Sequence, residues 1–165
     1  MNRISMLRQE LGEEDIFQRL LAEEQRTLYA IALSYLRTEA DALEAVQEAV
    51  CKAWTKRHKL KDQQSVRPWL IRITINCCMD ELRRRKRVFP AEKVKEEAAA
   101  REMQSNERMD LERAMERMKP KYRHVIILRF YQDMTMAEIA SVLKKPEGTV
   151  KTWLREGLKQ LRAYL

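Results

Sequence analysis

The sequence predicts an all-α protein: two small helical domains joined by a flexible linker, the C-terminal one a four-helix module that closes on a helix-turn-helix. Three observations carry this. The 165 residues include only three glycines and four prolines, so tight turns are few and long helices are favoured. Apolar residues recur at i, i+3, i+4 and i+7 over most of the chain, the spacing that lines one side of a helix. Between the two periodic halves, residues 89–109 keep a helix-forming composition but lack an apolar face, as a linker does. The domains are therefore drawn as an arm at 1–11, a first domain at 12–88, the linker at 89–109 and a second domain at 110–165.

Charge divides along the same lines. Lys and Arg total 33 against 25 acids, a formal net charge of +8. Residues 1–87 carry 17 basic and 13 acidic residues, 88–109 carry four and five, and 110–165 carry 12 and seven. Two basic blocks on a near-neutral tether suit two modules that each meet a polyanion. No run of about 18 apolar residues is present, so no membrane insertion is expected. The N-terminus lacks a signal-peptide core, and a cytoplasmic location follows. Cys51, Cys77 and Cys78 are odd in number and lack a CxxC spacing. Neither a disulfide framework nor a metal site is supported, no cofactor is expected, and all three read as buried thiols.

The first helix carries Phe17, Leu20, Leu21, Leu28, Ile31, Ala32, Tyr35 and Leu36 on one stripe. Arg37-Thr38 ends it, and Thr38 with Asp41 reads as a capping box for the second, roughly Glu39 to Arg57. Leu43, Val46, Val50 and Trp54 (or Ala53) form the expected core stripe there, leaving Asp41, Glu44, Gln47, Glu48 and Lys52 polar. A basic loop, His58 to Ser65, contains Lys59 and Lys61. Ser65 is placed to cap a third helix, with Pro68 accepted in its first turn. That helix, about Val66 to Arg87, has two apolar sides: Leu70, Ile73 and Cys77, and Ile71, Ile75, Cys78 and Leu82. Its third side holds Trp69, Arg72, Asn76, Arg83 and Arg87, returning to one face at about 100° per residue. An aromatic ring, an amide and guanidiniums suit stacking on bases and holding phosphates of an unpaired strand. The plain alternative is a core-edge Trp69 and a solvated basic helix end.

After Phe89-Pro90, Leu111, Ala114, Met115 and Met118 give a short helix stopped before Pro120. Tyr122, Val125, Ile126, Leu128, Arg129 and Phe130 continue as another. Thr135 and Glu138 form a capping box that opens a third, with Ile139, Ala140 and Leu143 apolar. Lys144 to Gly148 break the pattern at Pro146. The last helix sets Val150, Leu154, Gly157 and Leu161 on one side and Lys151, Thr152, Arg155, Glu156 and Lys159 opposite. A buried first helix followed by a basic second one is the helix-turn-helix arrangement that enters a DNA major groove. A helical hairpin with a solvated face is the competing reading. The cap, the turn and the basic face together favour DNA.

Asp41-Ala42-Leu43-Glu44-Ala45-Val46-Gln47-Glu48 followed by Lys52-Ala53-Trp54 resembles a DAxDxVQExxxxAW-type helix of bacterial sigma factors of the extracytoplasmic-function type. Pro68 to Asn76, then Asp80-Glu81-Leu82-Arg83-Arg84, is similar to the next family motif, a W-L-x-R-I-x-x-N core with a basic tail. Met118 to Arg123 with Leu128-Arg129, and Glu138 to Thr152, resemble the family's C-terminal domain. Together these motifs cover about residues 13–165 in the family's order.

The resemblance implies that Asp41, Glu44, Gln47, Glu48 and Lys52 dock on the clamp helices of core RNA polymerase. It implies that the loop with Lys59 and Lys61, and the face of Trp69, Arg72, Asn76 and Arg83, capture flipped non-template bases of a −10 promoter element. It gives Lys151, Thr152, Arg155, Glu156 and Lys159 to the −35 element, and an anti-sigma factor as a further partner. Where family members commonly carry basic residues, this chain has Trp153, Glu156 and Leu158. Glu156 either accepts a hydrogen bond from cytosine or pairs with a neighbour such as Lys159.

A stand-alone helix-turn-helix regulator is the runner-up. An enzyme is disfavoured: no convergent His, Asp and Glu set and no glycine-rich phosphate loop is present, and His58 and His124 read as ordinary loop and helix-surface residues.

Overall fold

A computed structural model describes residues 12–60, 62, 65–88 and 107–165. The N-terminal arm, Lys61 and residues 89–106 of the expected linker lie outside the described residues. Every described element is helical. Helix α1 is Glu13–Leu36, α2 is Glu39–Lys56, a 3-10 turn follows at Arg57–Lys59, and α3 is Val66–Val88. Then come α4, Glu107–Arg117; α5, Pro120–Ile126, which runs on as a π-helical turn at Ile127–Tyr131; α6, Met136–Leu143; and α7, Glu147–Tyr164. The chain divides into two compact units between Cys78 and Met79. The division falls inside α3, earlier than the boundary drawn from composition at 88/89. Composition marks where a helix ends, whereas packing can change before its backbone ladder does.

In the first unit α1 buries Ile16, Phe17, Leu21, Leu28, Ile31, Ala32, Tyr35 and Leu36, the predicted stripe with Ile16 added and Leu20 half-buried. Arg37, at φ 67°, closes α1 through its N–H to the Leu33 carbonyl at 2.9 Å. The cap expected at Thr38 is not made as drawn. Its hydroxyl donates to Asp41 Oδ2 at 2.7 Å and does not cap a backbone N–H.

The core face of α2 is also different from expectation. Ala42, Ala45, Val46, Ala49 and Ala53 are buried, while Leu43 is 53 % exposed and Val50 and Trp54 are half-buried. Both sets have helical spacing. The small residues face inward because α2 packs on α1, and a short side chain lets two helix backbones approach. Helix α3 buries Val66, Leu70, Ile71, Ile75, Cys77 and Cys78, each large aliphatic side chain worth about 1.5–3 kcal/mol when fully enclosed. Thr74 is buried with them, its hydroxyl donating to the Leu70 carbonyl at 2.9 Å. Ile73 and Leu82 are only half-buried. Cys51 is exposed, against the expectation for all three thiols, because it lies between the buried Ala49 and Ala53 of α2, on the solvent side.

The second unit places Ala114, Met115, Met118, Val125, Ile126, Ile127, Leu128, Met134, Ile139, Val142, Val150 and Leu161 in its core. Phe130 does not join them: it is 56 % exposed, and Tyr131 is exposed beside it. A π turn rotates the chain out of α-helical phase, so a stripe counted at 3.6 residues per turn misplaces the residues it carries. Asp133, at φ 51°, turns the chain; Met134 N–H donates back to the Leu128 carbonyl at 3.1 Å. Arg129 Nη1 holds the Met134 carbonyl at 3.0 Å. His124 is no surface histidine. Burial, then the neighbouring Arg123 charge, lowers its pKa to about 4.

Candidate functional site

Three surfaces carry the polar residues singled out by sequence. The first is the outer side of α2. Glu44, Gln47 and Glu48 are exposed on it. Asp41 is half-buried and tied to Thr38, and Lys52 Nζ lies 2.8 Å from Glu48 one turn away. Leu43, assigned by sequence to the core, stands exposed on α2 next to Glu44. The α2 face thus combines an exposed apolar side chain with acids and an amide, and acids repel phosphate.

The second surface surrounds the connection from α2 to α3. Lys59 is exposed in the 3-10 turn. On α3, Trp69 and Arg72 are half-buried, while Asn76 and Arg83 are exposed. Trp69 meets the Phe17 ring edge-on at 6.3 Å between centroids, so part of its indole is spent on packing. Burial holds the Arg72 guanidinium below its ordinary pKa, and a guanidinium stays charged there. Arg83 Nη1 lies 2.8 Å from Asp80 Oδ1. An exposed pair of this type holds with at most about 1 kcal/mol.

The third surface is the outer face of α7. The preceding α6 begins with the capping box expected from sequence: Thr135 Oγ1 accepts the Glu138 N–H at 3.2 Å, and Glu138 Oε2 accepts the Thr135 N–H at 2.8 Å. Lys144, at φ 52°, ends α6, and Pro146 occupies the N-cap position of α7. Behind the helix, Val150, Gly157 and Leu161 are buried and Leu154 is half-buried. Gly157 sits in close packing, where any larger residue makes its neighbours shift. A Cβ there would lie 2.9 Å from Ile126 Cδ1 and 3.3 Å from both Met118 Cε and Tyr122 Cβ. Lys151, Thr152, Arg155 and Lys159 are exposed and Glu156 is half-buried. Thr152 Oγ1 donates to the Gly148 carbonyl at 3.0 Å, and Lys151 Nζ lies 3.7 Å from Glu147. Trp153 is half-buried, with Lys121 Nζ 5.5 Å from its ring centroid.

Residues 20–88 match the family described as Sigma-70 region 2, and residues 108–161 match Sigma-70, region 4. The chain is 30 % identical over 147 residues to the RNA polymerase sigma factor SigV of Bacillus subtilis, covering 88 % of each. This protein belongs to the sigma-70 family of RNA polymerase sigma factors. It is also 31 % identical over 159 residues to the ECF RNA polymerase sigma factor SigM of Mycobacterium tuberculosis, covering 93 % of this chain and 81 % of that one. Two solved structures share the fold. One is the sigma factor RpoE in complex with the anti-sigma factor NepR from Bartonella quintana, with TM-score 0.65, 21 % identity and coverage of 90 % and 95 % of the two chains. The other is CnrH in complex with the cytosolic domain of CnrY, with TM-score 0.67, 24 % identity and coverage of 92 % and 88 %. The sigma factor is a promoter-recognising initiation factor of the ECF type, and the stand-alone regulator is disfavoured by the region 2 match. Among the described residues no helix is long and apolar enough to cross a membrane.

Sequence reasoning missed two residues on these surfaces. Leu43 was hidden by its helical spacing with Val46 and Val50. Arg57, three residues after Trp54, was read only as part of the basic run; its guanidinium carbon sits 4.1 Å from the Trp54 ring centroid.

Proposed function

We propose a division of labour among the three surfaces. The outer side of α2 docks on the clamp helices of core RNA polymerase through Glu44, Gln47 and Glu48, with Leu43 as its apolar centre and Asp41 and Lys52 at the edge. The connection between α2 and α3, with Lys59 and Lys61, and the α3 face of Trp69, Arg72, Asn76 and Arg83 hold flipped non-template bases of the −10 element. Unpairing costs a few kcal/mol, which stacking and phosphate contacts return. On α7, Lys151, Thr152, Arg155, Glu156 and Lys159 read the −35 element in the major groove.

The observation that carries this reading is the contrast in chemistry on one chain: an acid-and-amide face with an exposed Leu43, an aromatic and basic face, and a basic helix-turn-helix. Residues 12–88 and 110–165 act as the two promoter-binding domains with 89–109 as their tether. The protein performs no chemistry of its own and works in the cytoplasm. An anti-sigma factor is its further partner, a reading supported by the fold shared with RpoE, which was solved in complex with the anti-sigma factor NepR. Run-off transcription with core enzyme tests the whole. Transcripts starting at a discrete set of promoters are expected, and none from any promoter in a genomic library overturns the reading.

A further inference from the structure

The connection between α2 and α3 is pinned at both ends to the first turns of α1. Before it, Trp54 meets the Phe17 ring at 6.0 Å between centroids; after it, Trp69 meets the same ring at 6.3 Å. Phe17 is buried between the two indoles' contacts. Ion pairs repeat the pattern: Arg57 Nη2 lies 3.2 Å from Glu14 Oε1, and Arg67 Nε lies 3.4 Å from Glu24 Oε2.

Arg57 is the residue on which these ties converge. Its guanidinium lies over the Trp54 ring at 4.1 Å, and Nη1 donates to the Trp54 carbonyl at 2.7 Å. That carbonyl belongs to the last turn of α2 and also accepts the Arg57 backbone N–H. Its backbone carbonyl accepts the Leu60 N–H at 3.1 Å, which shapes the 3-10 turn carrying Lys59. The Arg57 side chain therefore covers an indole and ties the last turn of α2 to Glu14 of α1, while the backbone of the same residue carries the bond to Leu60. A guanidinium with three local partners is poorly placed to serve as a phosphate ligand as well.

We propose that Arg57 is a positioning residue for promoter opening: it holds the Lys59 turn in place for the unpaired strand without touching DNA. The proposal rests on the reading of this loop as a strand-capture element. It differs from a direct contact in the sign of one effect. Glu14 competes with DNA for Arg57 if Arg57 binds phosphate, so removing the acid strengthens strand binding. If Arg57 positions the loop, removing its anchor weakens binding.

The test uses holoenzyme reconstituted with core RNA polymerase, a promoter mapped from transcript 5′ ends, and a fluorescent single strand carrying its non-template −10 sequence. Arg57→Gln is expected to weaken strand binding and slow promoter opening about tenfold, the loss of a cation–π contact with a charged hydrogen bond. Arg57→Lys keeps the charge but not the fork, and is expected to stay close to Arg57→Gln. Glu14→Gln is expected to weaken binding about twofold, as exposed pairs contribute little. The salt dependence should keep its slope in all three, and binding to −35 duplex should not change. Tighter strand binding by Glu14→Gln, full rescue by Arg57→Lys, or a slope reduced by about 0.7 in Arg57→Gln makes Arg57 a phosphate ligand and overturns the proposal. Lys59→Ala separates the two layers. If it weakens strand binding while the Arg57 and Glu14 variants do not, only the positioning role falls; if none of the variants has an effect, the strand-capture reading of the loop falls with it.

Discussion

In the second unit Lys151, Thr152, Arg155, Glu156 and Lys159 stand on one uninterrupted 18-residue helix, backed by Val150, Gly157 and Leu161. In the first, Lys59 sits on a short turn, and Trp69, Arg72 and Asn76 sit on the helix after it, with Phe17 behind the aromatic rings. The first arrangement suits a partner of regular shape, because a duplex groove repeats and a rigid helix can match its edges. The second suits bases that have left the stack, which need pockets and side chains approaching from several directions. Rigidity is thus supplied by core packing in one case and by a few aromatic and ionic ties in the other.

The comparison can be sharpened through stability first. His124 lies on α5, which packs against α7, and its pKa of about 4 is below the ordinary 6.5. The folded state therefore favours the neutral ring. Its stabilising contribution is complete above about pH 6.5 and is lost as pH falls toward 4, by up to about 3 kcal/mol. Denaturant titrations of the wild type and His124→Gln between pH 4 and 7 should show a smaller pH dependence in the variant. Equal slopes would show that burial of this ring plays no part in holding the back of α7.

Trp69→Ala probes the first unit in the same way. Its side chain is packed only in part, so a stability loss of about 2 kcal/mol is expected, below the range for a fully buried Trp. Promoter opening should fall while −35 duplex binding is retained. If circular dichroism and melting temperature are unchanged, the contact with Phe17 carries less than its geometry suggests.

Arg155→Ala is expected to weaken −35 duplex binding by about 1–3 kcal/mol, the range for a bidentate base contact, with no change in melting temperature. An unaltered binding isotherm removes Arg155 from the reading face. A similarly small stability effect is expected of Leu43→Ser. An exposed position should change stability by less than about 0.5 kcal/mol, yet affinity for core polymerase should drop measurably in a competition assay. A drop in stability with normal core binding would return Leu43 to a structural role.

Much of the helix-turn-helix was legible because its signals are local. Thr135 and Glu138 need only each other, and Pro146 marks the break before the last helix. The α2 face was harder to read. Ala42, Ala45, Ala49 and Ala53 compete with Leu43, Val50 and Trp54 at the same spacing, and size alone favours the larger set. Only the closeness of α1 decides for alanine, and that is a tertiary fact. The exposure of Phe130 was open for a different reason: nothing in Ile127 to Tyr131 announces a π turn, yet one extra residue in the turn shifts the phase of all that follow. His124 and Cys51 carry the same lesson in opposite directions, since burial of a single polar or small residue depends on what packs across from it. For the candidate site, residue types and spacing identified the outward faces of α2 and α7. The place of Arg57 was not legible, because its partner Glu14 is 43 residues away in the chain.

The glycine at 157 has a practical meaning for redesign. The place of α7 is set by what its inner side lacks, a side chain at one position, and by three apolar neighbours there. None of the residues assigned to reading DNA takes part in that contact. On the proposed reading of α7, the outward residues of the helix are therefore the ones to rewrite when retargeting the protein to another upstream sequence, with Gly157 kept. Proteins with this division between fixed back and variable front make good starting points for sets of promoters that do not cross-respond.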